Sequence, residues 1–577
     1  MTAAPSSDLE KRLLELISGS LLATGPDFHA NSDLFALGLD SMAIMQLLLL
    51  VEEEFGAAIP AESVSREHFS TVRSLARLIR QRLGAEEENA AEETGGPVPE
   101  SAPAGLSPAP APKHAAASSR EKHTPFTRLP LLNCDHFVLA FDTMMRDAGL
   151  GGHVVHSFLD LAAVPDVERL RTALETVARE HPLLNAVLRR RWGVGLPEWR
   201  AAAEPRPVEL LLFCEDGAPG VLRAHGADAC ADAEQASEDA LNRPLPRADK
   251  TAWPKARFTL IERADGSCRL IFSWSHLLLD AVGAELFLRD LNALAAGDDA
   301  GRIAPVETPP PDPRHYGQRW ANTTPMVNYF YGLLQKPFDC LGSRTPAPGR
   351  ARFQALTFSE EESRGITERA ARLCGPLVNM PFHLAVAMRA HDAVFRARGR
   401  QPASLICNVP VQRRRKGADS PIYQNHLGMF FGALAREELP TLEGAVASLL
   451  ALRERWMRER LDASFEDLLH VMSPLPPRWH MKFVRWKMRG MFTSLFHSHT
   501  GAFAAGLNRF LGVPVLNACH VPALANPPGT GLFCSEKNGR LTVTLCWCEG
   551  ALSDAERRVL LGQMCEDYGV PARRIGA

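Results

Sequence analysis

The chain has 577 residues, of which 46% are hydrophobic and 23% charged, with a formal net charge of −3. These are globular proportions, with room for about three or four domains. They exclude a fibrous or wholly disordered chain, and the near-neutral balance argues against a nucleic-acid partner, which calls for a strongly basic face.

No apolar run approaches the roughly 20 residues that cross a bilayer. Residues 1–10 lack a basic start followed by an apolar core, so no signal peptide is expected. Twelve cysteines without a short-domain framework point to reduced thiols. The expectation is a cytoplasmic protein without a membrane partner.

In chain order, residues 1–83 read as a small helical unit. Leu9, Leu13, Leu16 and Ile17 share one helical face. Asp40-Ser41 precedes a second apolar helix containing Met42, Met45, Leu48, Leu49 and Phe55, and Ser70/Thr71 can cap a last helix with Val72, Leu75, Ile79 and Leu83 inward. Residues 84–125 hold seven prolines, ten alanines, one leucine and no aromatic residue. Such a segment buries too little to offset its ordering entropy and is expected to be a disordered tether. Its reach is about 35 Å as a coil and about 130 Å if fully extended.

From residue 126 onward strand and helix patterns alternate. A helix is expected over 167–180, ending in His181-Pro182-Leu183-Leu184. Strands follow over 256–263 and 268–276, joined by a turn at Asp265-Gly266, then a helix over 281–296. After a Pro-rich connector, a second half begins near 351, with strands over 403–409 and 540–548 and helices over 442–461 and 553–568. The body is thus α/β in two halves, 126–350 and 351–577.

Two motifs carry chemistry. The first is Leu37-Gly38-Leu39-Asp40-Ser41-Met42. At a helix start, exposed backbone N–H groups favour an anion beside Ser41. Lying between two amphipathic helices in an acidic unit, the motif resembles that of an acyl carrier protein, over nearly all of residues 6–83. The resemblance implies a small four-helix bundle with 4′-phosphopantetheine on Ser41, its thiol holding an acyl group as a thioester. Residues 1–83 carry 11 acidic and 7 basic side chains, and the tether 7 and 3, which leaves 126–577 at +5. That asymmetry suits guided docking of an acidic carrier on a basic body.

The second motif is Ser275-His276-Leu277-Leu278-Leu279-Asp280-Ala281, where a strand gives way to a helix. A neutral histidine at such a turn can abstract a proton. The plainer alternative is a helix-capping Asp280 beside a structural His276. The segment resembles the His-His-x-x-x-Asp-Gly motif of the condensation-domain and chloramphenicol-acetyltransferase-like superfamily. His181–Leu184, Asn408–Arg413, Pro527–Leu532 and the 540–548 strand extend the likeness over about 126–577. The likeness implies two acetyltransferase-like halves with a tunnel between them. By position, His276 would be the base and Asp280 would hold the loop, paired with Arg413. Ser275 stands where the family has its first histidine and Ala281 where it has glycine, with Gly283 close by. Asn425 and Ser498 are candidates for stabilising the oxyanion. The family's Asp-Phe-Gly-Trp-Gly pattern has no good match.

Three other signals stand apart. Arg478, Lys482, Arg485 and Arg489 recur at helical spacing with Trp479, Phe483 and Trp486 on another face. Such a cationic amphipathic helix could lie on a membrane or receive an acidic carrier, docking being the preferred functional reading, or it is a solvated face over a packed one. Cys546-Trp547-Cys548 and His497-Ser498-His499 lack the further ligands of a metal site, and none is expected.

Together these readings predict a carrier-dependent acyltransferase that forms an amide or an ester. It would be armed by a phosphopantetheinyl transferase and loaded in trans by a separate enzyme, with a small-molecule amine or alcohol as acceptor. Other carrier proteins are further possible partners, and natural-product assembly is the expected setting. A wax-ester-synthase-like lipid acyltransferase, a non-catalytic carrier-docking scaffold and thioester hydrolysis are the alternatives.

Overall fold

A computed structural model of the chain describes residues 6–91, apart from 23, 25, 26, 38, 40, 58 and 60–66. It also describes 128–572, apart from 191–195, 216–221, 225–228, 231, 232, 307–313, 377, 415–420 and 523. The chain divides into two compact units that part between Pro125 and Phe126.

The first unit has three helices among its described residues, Ser6–Ser20, Ser41–Phe55 and Val72–Ala91. Leu9, Leu13 and Ile17 of the first helix and Val72, Leu75 and Ile79 of the third are buried, on the expected faces. The second helix buries Ile44, Leu47 and Val51. Its apolar run is continuous, so periodicity could not choose a face. Met42, Met45 and Leu49 have side chains outside the described residues. The third helix runs on to Ala91, into the segment expected to be disordered. Ala85–Ala91 consists of alanine, glutamate and asparagine, and the first proline comes only at 97, so nothing local stops the helix sooner. The rest of the expected tether, 92–125, lies outside the described residues.

The body is built on two large sheets. One has eight strands, in the order Arg509–Phe510, Val513–Pro522, Val154–Leu161, Cys268–Ser275, Ala256–Glu262, Glu209–Glu215, Leu222–Ala224 and Ala229–Cys230. The other has six, in the order Ala351–Thr357, Arg540–Cys548, Thr530–Lys537, Leu495–Ala502, Ser404–Gln412 and Leu427–Ala435. The first half's sheet is therefore completed by a strand of the second half, Val513–Pro522, antiparallel to Val154–Leu161. Every residue of the Cys268–Ser275 strand is buried, as befits a strand paired on both sides in mid-sheet. Behind it, Phe258, Phe272, Trp274 and Phe287 stack, with Phe272 and Phe287 centroids 5.0 Å apart.

Local signals set several boundaries. Asp166 accepts from the Arg169 N–H to start the Val167–Glu180 helix. Asp280 accepts from the Gly283 N–H to start Ala281–Ala296, which a left-handed Gly297 ends.

Candidate active site

His276 is the first residue beyond the Cys268–Ser275 strand, and its backbone is held on both sides. Its N–H donates to the His153 carbonyl at 2.9 Å, and its carbonyl accepts from the Asn425 side-chain amide at 2.7 Å. Ser275 continues the strand geometry, its N–H donating to the Lys255 carbonyl at 2.9 Å and its carbonyl accepting from the Leu278 N–H at 2.8 Å. His276 is half-buried, and its Nδ1 is buried without a hydrogen-bond partner. Burial holds the imidazole below its ordinary pKa, with the Asp280 charge pulling the other way. At neutral pH the ring is accordingly uncharged and able to accept a proton.

Asp280 ties the turn to the second half. Its Oδ1 accepts from the Gly283 N–H at 2.8 Å and from Arg414 Nη2 at 2.9 Å, and its Oδ2 accepts from the His426 N–H at 3.1 Å. The guanidinium of Arg414 also donates to the carbonyls of Pro421, Ile422 and Gln424. The partner of Asp280 is thus Arg414 and not the expected Arg413. Arg413 turns away to pair with Glu466, both side chains 37% exposed. Gly283 sits where the new helix passes closest to the second half: a Cβ there would lie 2.2 Å from the Ile422 carbonyl oxygen. His181 buttresses the same region, its ring joining Asp290 at 3.0 Å and the Tyr423 hydroxyl at 3.1 Å.

Two residues unremarked in the sequence complete the site. His153 lies against His276 with ring centroids 4.5 Å apart and 32° between planes. Its N–H donates to Asp142 at 2.8 Å, and burial, followed by the neighbouring His276, holds its pKa well below the ordinary value. Asp135 accepts from the Asn425 side-chain amide at 2.7 Å and backbone N–H at 3.2 Å, and so orients the amide that grips His276. Burial pushes the Asp135 carboxyl up to about 7, against the hydrogen bonds from Asn425 and Leu132. Asn425 therefore spends its N–H groups on Asp135 and the His276 carbonyl, a positioning arrangement in place of the oxyanion contact considered from sequence. Ser498 shares with Phe496 one face of the Leu495–Ala502 strand, opposite His497 and His499.

In the first unit, Ser41 is the opening residue of the Ser41–Phe55 helix, whose first turn has no acidic residue. Its side chain and Asp40 lie outside the described residues. The N–H groups of a helix start favour a phosphodiester on that serine.

Comparison with known proteins bears on both units. The phosphopantetheine attachment site family matches residues 11–79. Aminoacyl carrier protein 2 of Bradyrhizobium diazoefficiens is 32% identical over 80 residues, which is 14% of this chain and 90% of that protein. Through this segment the chain belongs to the carrier proteins. The carrier domain bears 4′-phosphopantetheine covalently, as its family does.

The body that accompanies the carrier domain has the condensation-domain fold. Trichothecene 15-O-acetyltransferase from Fusarium sporotrichioides is 12% identical, covering 76% of this chain and 95% of that chain with a TM-score of 0.54. The first condensation domain of the calcium-dependent antibiotic synthetase, in complex with a substrate analogue, is 14% identical, covering 78% and 97% with a TM-score of 0.53. At such identities the likeness establishes the fold alone.

No sequence signal marked His153 or Asp135, because neither sits in a motif. Only the pairing of Val154–Leu161 with Cys268–Ser275, and the seating of the Asn133–Asp147 helix near Asn425, bring them to His276.

Proposed function

We propose that the protein transfers an acyl group from a carrier-bound thioester to a small amine or alcohol, forming an amide or an ester. Phosphopantetheine on Ser41 supplies the thiol that holds the acyl group. His276 accepts the proton of the acceptor N–H or O–H as that atom attacks the thioester carbonyl. The new C–N or C–O bond forms, the C–S bond breaks, and the proton passes from His276 to the departing thiolate. Asp280, Arg414, Asn425 and Asp135 hold the backbone on which the imidazole stands, and Gly283 lets the halves approach. His153 keeps the ring plane fixed. A phosphopantetheinyl transferase would arm Ser41 and a separate enzyme would load the acyl chain, in a cytoplasmic natural-product assembly line.

The observation that carries this reading is the uncharged, half-buried His276, pinned at both its N–H and its carbonyl. The test is intact-protein mass on the chain carrying acyl-phosphopantetheine at Ser41, chased with mixed amines and alcohols, beside His276→Ala. Acyl loss in the wild type alone, with a coupled product, is expected. Equal loss in both would remove His276 from catalysis, and a chain that cannot be armed at Ser41 would refute the donor assignment. Loss in the wild type without a coupled product would mean hydrolysis.

A further inference from the structure

The Pro477–Lys487 helix turns its aromatic residues outward. Trp479, Phe483 and Trp486 are 66%, 44% and 70% exposed. Its buried residues are His480 and Met481, with Val484 packed against the same core cluster. Of the sequence readings, the packed aromatic face is therefore incorrect. Both faces carry apolar side chains, and the larger set is the one left in water.

At i, i+4 and i+7 these three rings form a single stripe, and Leu475, 40% exposed, lies in the turn before the helix. Tyr331 of the Thr324–Leu333 helix adds a fourth ring, reached through Lys487, whose ammonium lies 6.0 Å from Tyr331, 5.8 Å from Phe483 and 4.4 Å from Trp486. Lys482 lies 5.7 Å from the Trp479 ring. Between Arg478 and Arg489 the sequence has five basic residues, both ends included, and no acidic one.

We propose that this surface seats the body on an anionic lipid membrane. Soluble proteins scatter exposed apolar residues singly, and a contiguous set marks an interaction face. Tryptophan rings rimmed by lysines are suited to the headgroup level, where indoles sit at the apolar boundary and ammonium groups meet lipid phosphates. Arg478 is paired with the exposed Asp147 at 2.8 Å, and the other basic residues of the segment, with no acidic one among them, select an anionic surface. No helix among the described residues is long and apolar enough to cross a membrane, so the helix would lie in the interface. Its location gives the contact a consequence. On the inner side, rings run from His480 to Phe137 at 6.1 Å, to Phe141 at 6.0 Å, to His153 at 4.9 Å and to His276 at 4.5 Å. The helix that would meet lipid thus covers the rings backing the candidate base.

The proposal does not depend on the carrier-transfer reading and is tested without it. The full chain is floated with phosphatidylcholine vesicles and with vesicles that also contain phosphatidylglycerol, at low and high salt. Binding to the anionic vesicles is expected, with a blue-shifted tryptophan emission and weakening by salt. Trp479→Ser/Phe483→Ser/Trp486→Ser and, separately, Lys482→Glu/Lys487→Glu should each reduce vesicle partitioning by about tenfold or more. These side chains are exposed, so the near-ultraviolet circular dichroism of both variants should match wild type. Absence of wild-type binding to anionic vesicles would overturn the proposal, as would variants that bind like wild type. Failure to bind vesicles, with the same variants losing affinity for a separate soluble carrier protein, would assign the face to a protein partner instead.

Discussion

Arg414 and Asp280 form an ion pair of 2.9 Å whose side chains are 2% and 0% exposed, joining the second half of the body to the turn that carries His276. Two further donors, the N–H groups of Gly283 and His426, occupy the same carboxylate. A buried pair so supplied is costly to break from one side, because the surviving charge has no water to replace its partner. Arg414→Met should lower unfolding free energy by about 3–5 kcal/mol. Arg413→Ala, which removes an exposed pair with Glu466, should cost less than about 1 kcal/mol. Denaturant titration of the two variants side by side makes the comparison, and equal losses would contradict the assignment.

Gly283→Ala places a Cβ 2.2 Å from a backbone carbonyl, that of Ile422. No side chain can swing aside to admit it, so the helix or the 421–426 loop must shift. The expected result is a loss of at least about 1–3 kcal/mol, together with loss of acyl transfer, since the same shift moves the Asp280 brace. A thermal melt and the acyl-loss assay check the two parts separately.

Burial, the leading cause in each case, pushes His136, His391, His426 and His480 down to about 4 and His156, His497 and His520 to about 3. Below their unfolded pKa of about 6.5 the unfolded chain binds more protons than the folded one. The stability they confer is complete above that pH and is lost as pH falls toward 4. Asp135, raised to about 7, works the opposite way over the same window, as do Glu285 and Asp567, also raised by burial, but these are three groups against seven. Two such histidines alone cost roughly 5 kcal/mol by about pH 4.5. The denaturation midpoint should therefore fall steadily from pH 7 to pH 5, and an unchanged midpoint would count against neutral buried histidines.

If His276 is the base, the acidic limb of acyl transfer should have its midpoint below 6.5, since burial lowers that imidazole. His153 should matter through ring contact more than through charge. His153→Ala should slow single-turnover acyl loss by about tenfold or more, and His153→Phe should restore most of the rate. Rescue by an aromatic ring without titratable groups separates positioning from proton transfer; failure of Phe to rescue would assign His153 a chemical part.

Local sequence was sufficient wherever neighbours along the chain carry the energy. The Val167–Glu180 and Ala281–Ala296 helices and the Arg540–Cys548 strand have their expected limits, because capping residues and alternation act over a few positions. The carrier domain was legible through the resemblance that the Leu37–Met42 motif and its flanking helices bear to acyl carrier proteins. Tertiary structure alone decided the rest. It selected Arg414 over Arg413, since adjacent residues leaving a strand point to different sides and only the approach of the 421–426 loop picks one. It brought His153 and Asp135 to His276 through strand pairing and helix seating between segments remote in sequence. It carried Val513–Pro522 into the other half's sheet. And it exposed Trp479, Phe483 and Trp486, because a helix with apolar residues on both faces carries no local signal for which face its neighbours will cover.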